Sequence, residues 1–276
     1  MRQALLSLYV ALVLAFLSAN VKADTDLVLG VSEGTSGGLN HASAVLKYEG
    51  LADLLGKAIR RKVSVTFVRE FAQLEDGMKT GRLDFVMARP SDYPATGIRD
   101  YGYQFVASAK PEGHCLIIVP KGSPVKSLAD IGGKRWVLPE TSAYMTRFCK
   151  AALRDLGVRV HTAQLKHVRE QAAVAFFLEH GFSDIGGVAS YSGVGRTWEA
   201  QGHRILHRSA AQPYFPLIAG PRVSASDVAA IQKQLAGLPE SSAGQGLLKT
   251  IGVKAFDVSS KDRLAALLAW LNKDHD

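Results

Sequence analysis

Short apolar runs that alternate with helical periodicity leave this chain few folds to choose from. Residues 27–32 have strand character, and Ala42, Val45, Leu46, Leu51, Leu54, Leu55 and Ile59 mark the helix that follows. Residues 63–68 form a second strand, residues 71–80 a second helix stopping at Gly81, and residues 85–88 a third strand, apolar throughout. Strand-helix-strand-helix-strand implies a parallel sheet with right-handed crossovers. The rhythm restarts at 136–138, continues with a helix from Ser142 to about Leu156 and a strand at 159–165, and closes with a helix at 169–180 and a strand at 184–188. The extended segments 103–110 and 115–119 join the two halves, and 204–206 with 215–219 return the chain. Two amphipathic helices, capped by Ser226-Asp227 and Ser259-Ser260, complete the tail. The expected architecture is α/β and two-lobed, each lobe a mostly parallel sheet flanked by helices, with two crossover hinge strands. Residues 24–108 and 208–276 make the first lobe and residues 109–207 the second.

Both halves end a strand in small hydroxyl-rich residues: Glu33-Gly34-Thr35-Ser36-Gly37 and Glu140-Thr141-Ser142-Ala143. Hydroxyls beside the unpaired N–H groups of a helix start suit an oxygen-rich, anionic ligand. Thr35 and Ser36 are candidate donors from the first lobe, or simple helix caps. Thr141 and Ser142 are their counterparts in the second. Arg89 stands at the carboxyl end of the third strand, where open α/β sheets bind ligands. It either grips an oxyanion bidentately or pairs with Asp92 or Glu140. His114 and Tyr191 are further candidates, against structural roles for both.

The start of the chain has the form of an export signal: Arg2, an apolar stretch over 4–18, then Val21-Lys22-Ala23, with cleavage expected after Ala23. Residues 1–23 are therefore a leader, the mature chain has 253 residues, and the formal charge falls from +8 to +6 as Arg2 and Lys22 leave. The cations are scattered, the densest run being Arg60-Arg61-Lys62, and no aromatic residues interleave with a basic stripe, which argues against nucleic acid. Cys115 and Cys149 either pair in an oxidising compartment or remain two buried thiols. His203 and His207 fall on a strand, where a four-residue spacing separates them by about 13 Å and rules out one shared ion. No metal or cofactor is expected.

Several motifs in order carry a resemblance: Gly30-Val31-Ser32, Phe71-Ala72-Gln73 before Gly77-Met78, Lys121-Gly122-Ser123-Pro124, Ser127-Leu128-Ala129-Asp130-Ile131-Gly132-Gly133-Lys134, and Thr141-Ser142. Together they resemble the periplasmic phosphate/phosphite/phosphonate-binding proteins of ABC transporters, over nearly all of the mature chain. The resemblance implies a type II bilobed fold and Thr141 and Ser142 as grips on phosphonate oxygens. It also implies pocket positions at Phe71, His114 and His167. The family's acidic contact to amino groups falls near Phe215, so aminoalkyl phosphonates are not implied. The expected function is capture of a small oxyanion in the periplasm by a monomer and its delivery to an ABC transporter permease. The alternatives are a ligand-sensing subunit for a membrane sensor kinase, and a serine hydrolase using Ser32 of Gly30-Val31-Ser32-Glu33-Gly34.

Overall fold

A computed structural model describes residues 26–34 and 40–273. The leader, Thr35 and Ser36 lie outside the described residues. No described helix is long and apolar enough to cross a membrane.

The chain forms two sheets. The first takes β1 (Leu27–Ser32), β2 (Val63–Phe67), β3 (Phe85–Ala88), β4 (Gln104–Gly113), β10 (Gln212–Ala219) and β11 (Ala255–Asp257), in the spatial order β11-β4-β10-β3-β1-β2. The second takes β5 (Cys115–Val119), β6 (Trp136–Pro139), β7 (Leu165–Val168), β8 (Ile185–Ala189) and β9 (Arg204–Arg208), ordered β7-β6-β8-β5-β9. In each, three strands joined by βα crossovers pair in parallel, β2-β1-β3 and β7-β6-β8. The crossing and return strands add to them antiparallel, so the sheets are mixed rather than mostly parallel. A strand entering from the other lobe has no helix to reverse its direction, and antiparallel pairing follows. The chain passes from one sheet to the other at His114 and back through residues 209–211.

Helices cover both faces. Around the first sheet lie α1 (His41–Ile59), α2 (Phe71–Lys79), α3 (Asp92–Asp100), α7 (Ala225–Ala236) and α8 (Ser242–Ile251). The second lobe carries α4 (Tyr144–Arg154), α5 (Gln171–Glu179) and α6 (Gly193–Thr197). The last helix, α9 (Lys261–Asn272), packs against α3 and α4 and so touches both lobes. α1 starts where the Asn40 side chain accepts from Ser43 N, and it buries Ala44, Tyr48, Leu51, Leu55 and Ile59 on one face. α7 is fixed by a capping box between Ser224 and Asp227.

The tail holds three helices instead of two. Ser242-Ala243-Gly244-Gln245-Gly246 has loop composition, yet Ser241 caps it by accepting from Gly244 N, and Leu248 and Ile251 supply buried anchors. The cap of α7 is Ser224 rather than Ser226, and Ser260 precedes α9. The strand expected over 159–165 begins only at Leu165, where register with Trp136 places it. α3 escapes a periodicity search because Pro94 and Gly97 interrupt it; Pro94 sits in the first turn, where its missing N–H costs nothing.

Cys115 of β5 and Cys149 of α4 are joined in a disulfide, Cα atoms 5.3 Å apart, within the buried cluster formed by Phe148, Trp136, Leu138 and the leucines of α9. The closed loop spans a sequence separation of 34 residues, for which chain entropy gives about 3–4 kcal/mol. Reduction with dithiothreitol, or Cys149→Ser, is expected to lower unfolding free energy by about that amount in urea titrations, with the first sheet's signals little affected.

Candidate ligand-binding cleft

The site begins with strand register. β1 and β3 pair in parallel with Ser32 opposite Ala88, so the next residues, Glu33 and Arg89, emerge side by side at the carboxyl ends of two central strands. Arg89 N donates to Ser32 O at 2.9 Å, locking that alignment. Arg89 Nη1 then lies 3.0 Å from Glu33 Oε2, with both side chains over nine-tenths buried. The other carboxylate oxygen accepts from Lys47 Nζ at 2.7 Å and from Tyr48 Oη at 2.6 Å, one α1 turn holding both donors. Burial alone would raise the Glu33 carboxyl; Arg89, then Lys47 and Tyr48, outweigh it and hold the group below its ordinary value.

Aromatic rings surround this ion cluster. The Arg89 guanidinium sits 5.2 Å from the Phe215 ring centre, and Phe215 meets Tyr48 edge-on at 5.9 Å and Tyr214 at 5.7 Å. Phe215 has φ +49°, a left-handed conformation that a bulky residue adopts only under tertiary constraint, where β10 loses register with β4. Tyr191, following β8 in the second lobe, lies 4.3 Å centre to centre from Tyr214 of the first.

Between the lobes these groups border a narrow gap of about 10 Å³, room for about one water molecule in this closed arrangement. The first lobe contributes Glu33, Gly34, Phe71, Arg89 and Pro90; the second contributes Tyr144, Met145, Gln171 and Tyr191. Tyr144 and Met145 are the first two residues of α4, so the helix start faces Arg89 across the gap. The Tyr144 hydroxyl is buried with no hydrogen-bond partner of normal geometry, since neighbouring Ser91 gives its proton to Pro213 O at 2.8 Å. Gln171, the first residue of α5, is held by Ala189 N donating to its Oε1 at 2.6 Å. A wider space of about 240 Å³ adjoins the gap through Gly34 and Phe71 and carries Arg69, Glu70, Glu140, Arg169 and Glu170.

Three of the residues singled out from sequence, Phe71, Arg89 and Tyr191, thus converge on one gap. Phe71 also stacks on Tyr93 at 5.5 Å. Thr141 and Ser142 are exposed in the turn closed by Ala143 N donating to Glu140 O, just ahead of α4 and outside the inner lining. Glu140 faces the wider outer space, and Arg89 pairs with Glu33 rather than with Asp92 or Glu140. His114 sits at the crossing between lobes, Nδ1 2.7 Å from Ser209 O. His167 rests its Nδ1 2.6 Å from Pro139 O, bracing the end of β6. Ser32 is buried and accepts from Gly34 N at 3.4 Å, with no histidine among its described hydrogen-bond partners. His203 and His207 form no metal cluster, and no group of three or more possible ligands occurs among the described residues.

Sequence reasoning passed over Glu33 as a pocket group, and over Lys47, Tyr48, Tyr144 and Gln171. One signal was available: Tyr48 falls on the buried stripe of α1, and a buried phenol needs a polar partner.

The sequence profile described as "ABC transporter, phosphonate, periplasmic substrate-binding protein" matches residues 39–264. The chain belongs to this family. Solved structures agree in fold. XAC2383 of Xanthomonas citri, bound to ATP, superposes with a TM-score of 0.71 at 17% identity, covering 90% of this chain and 97% of its own. PhnD1 of Prochlorococcus marinus, in complex with methylphosphonate, gives 0.69 at 13% identity, covering 90% and 97%. A binding-protein component of an ABC phosphonate transporter from Pseudomonas aeruginosa gives 0.65 at 12%, covering 89% and 85%. No curated protein matches the chain in sequence. The fold is that of the type II periplasmic binding proteins, and the family is one of periplasmic solute-binding subunits that work with a membrane permease.

Behind the phosphonate-family cleft an ion pair ties the lobes together. Asp92 of α3 meets Arg147 Nη1 of α4 at 2.6 Å, and Arg147 Nη2 donates to Asn272 Oδ1 of α9 at 2.7 Å. Burial, only partly offset by Arg147, pushes the Asp92 carboxyl up to about 6. A carboxyl raised above its unfolded value favours folding at low pH, and that contribution disappears as pH rises through the raised value. Wild type compared with Asp92→Asn is therefore expected to lose about 2–3 kcal/mol of relative stability between about pH 4 and pH 6, read from denaturant midpoints at each pH.

Proposed function

We propose that this protein captures a small oxyanion between its lobes and presents it to an ABC transporter permease. The observation that carries the reading is the convergence, across one gap, of Arg89 at a strand's carboxyl end with the start of α4 and the buried Tyr144 hydroxyl. A guanidinium and helix-terminal N–H groups are donors that match oxyanion acceptors, and they come from opposite lobes. Ligand that touches both sets favours the closed arrangement over the open one, which is hinge closure about the passages at His114 and 209–211. The alkyl or aryl part of the ligand would lie against Phe71, Tyr191 and Met145.

In this reading the leader is removed after Ala23 and the mature protein acts as a monomer without cofactor or nucleic acid. Thr141 and Ser142, on the rim turn, add hydroxyls as the lobes close; Thr35 and Ser36 follow Gly34 in the sequence. His114 acts at the hinge, and His167 holds the rim turn in place through Pro139.

A melting-temperature screen of phosphate, phosphite, alkylphosphonates, alkylsulfonates and carboxylates is expected to find oxyanions that stabilise the protein by mass action. Tyr144→Phe removes one hydroxyl at constant shape; it is expected to weaken the best of these anions about tenfold or more in calorimetric titration, with the unliganded melting temperature unchanged or higher. An unaltered affinity would remove Tyr144 from the site.

A further inference from the structure

The carboxylate of Glu33 occupies ground that an anion receptor would be expected to keep free of negative charge. We infer that Glu33 is a built-in counter-ion that restricts the cleft to singly charged oxyanions and excludes dianions; the inference rests on the reading that the gap holds an oxyanion.

The charge balance follows from the lining. Arg89 and Glu33 are the charged groups of the inner gap, and Lys47 joins them through Glu33 Oε1 at 2.7 Å. The second lobe brings Tyr144, Met145, Gln171 and Tyr191, none of them charged at neutral pH. The segment between Gly34 and Asn40 is Thr-Ser-Gly-Gly-Leu and adds no charge by composition. The inner site therefore carries one net positive charge, to which the start of α4 adds a fraction. A monoanion balances it. A dianion leaves a negative charge uncompensated beside Phe71, Met145 and Tyr191, in surroundings that screen charge less than bulk water does. The outer space does not repair the deficit, since its two arginines face three glutamates: Arg69 and Arg169 against Glu70, Glu140 and Glu170.

Protonating Glu33 would relieve the conflict, but its partners hold it ionised. It is faced by Lys47 and Tyr48 from α1, by Arg89 from the end of β3, and by Tyr214 from β10, with Tyr191 beyond Arg89. Burial pushes the Tyr48, Tyr191 and Tyr214 hydroxyls up, so none of them contributes negative charge. Asp92 and Arg147 stand behind Tyr144 and Tyr191, and Arg196 donates to Tyr191 O at 2.8 Å and acts on Tyr214. A ratio of two ligands at one pH cancels their effect while both are monoanions, and comparing wild type with Glu33→Gln at the same pH removes the remainder felt by a dianion.

The test uses methylphosphonate, whose second ionisation falls near neutral pH, and methanesulfonate, a monoanion throughout. Dissociation constants of both are measured by calorimetry from about pH 5.5 to about pH 9 on the mature protein and on Glu33→Gln. The expected wild-type ratio, methylphosphonate over methanesulfonate, is flat below the second ionisation and climbs about tenfold per pH unit above it, because only the monoanion is accepted. Glu33→Gln raises the net charge by one, so the climb should vanish and the dianion should gain tenfold or more. A wild-type ratio that stays flat or falls above the second ionisation overturns the inference while leaving oxyanion capture intact. So does a Glu33→Gln profile that superposes on the wild type. Binding of neither anion at any pH overturns oxyanion capture and the inference together. If Glu33→Gln loses its cooperative melting transition, the wild-type ratio alone decides.

Discussion

The pairing of β1 with β3 in parallel register is the constraint from which the rest of the cleft follows. Because Ser32 stands opposite Ala88, the two strands end together and the next side chains, Glu33 and Arg89, share one small volume. Neither charge is tolerable alone at that depth. Each is therefore satisfied locally: Glu33 by Arg89, Lys47 and Tyr48, and Arg89 by Glu33 with the Phe215 ring beneath it. The left-handed backbone at Phe215 is what brings that ring under the guanidinium, a conformational cost borne where the strand already breaks register.

The second lobe meets this cluster with an uncharged wall. α4 points its first turn at the gap while its body is fixed from behind, by the disulfide to β5, by Trp270 stacking edge-on against Phe148, and by Arg147 reaching Asp92 and Asn272. The last helix is thus more than a tail, since Leu264, Leu267, Leu268 and Leu271 share a buried cluster with residues of both lobes. That helix braces α4 from outside while also packing against α3 of the first lobe.

Much of this was legible in the sequence, and the reasons for the gaps are physical. Alternating strand and helix periodicity located β1 to β3, α1, α2 and most of the second βα repeat, because the helices bury one face and the central strands are apolar runs; β7 was misplaced because its residues are only partly buried. Motif order pointed to the family. Phe71, Arg89 and Tyr191 could be picked out because they flank strand ends or familiar turns. Glu33 was visible only as one letter of a small-residue turn; its role depends on a register between strands 56 residues apart, which no local pattern encodes. α8 was hidden by its glycines, and α3 by Pro94 and Gly97, although capping and burial sustain both helices. The hydroxyls of Thr141 and Ser142 promised a helix start, whereas the helix begins at Tyr144, after a separate turn closed on Glu140.

The central claim is that one small anion is held jointly by the carboxyl end of β3 and the start of α4. A crystal structure of the mature protein soaked or grown with methylphosphonate or methanesulfonate tests it most directly. The account predicts anion oxygens within hydrogen-bonding distance of both Arg89 and Tyr144 Oη or the first N–H groups of α4, with the Glu33–Arg89 pair retained. Density for the anion elsewhere, or anchored to one lobe while the gap between Arg89 and α4 stays empty, would contradict it.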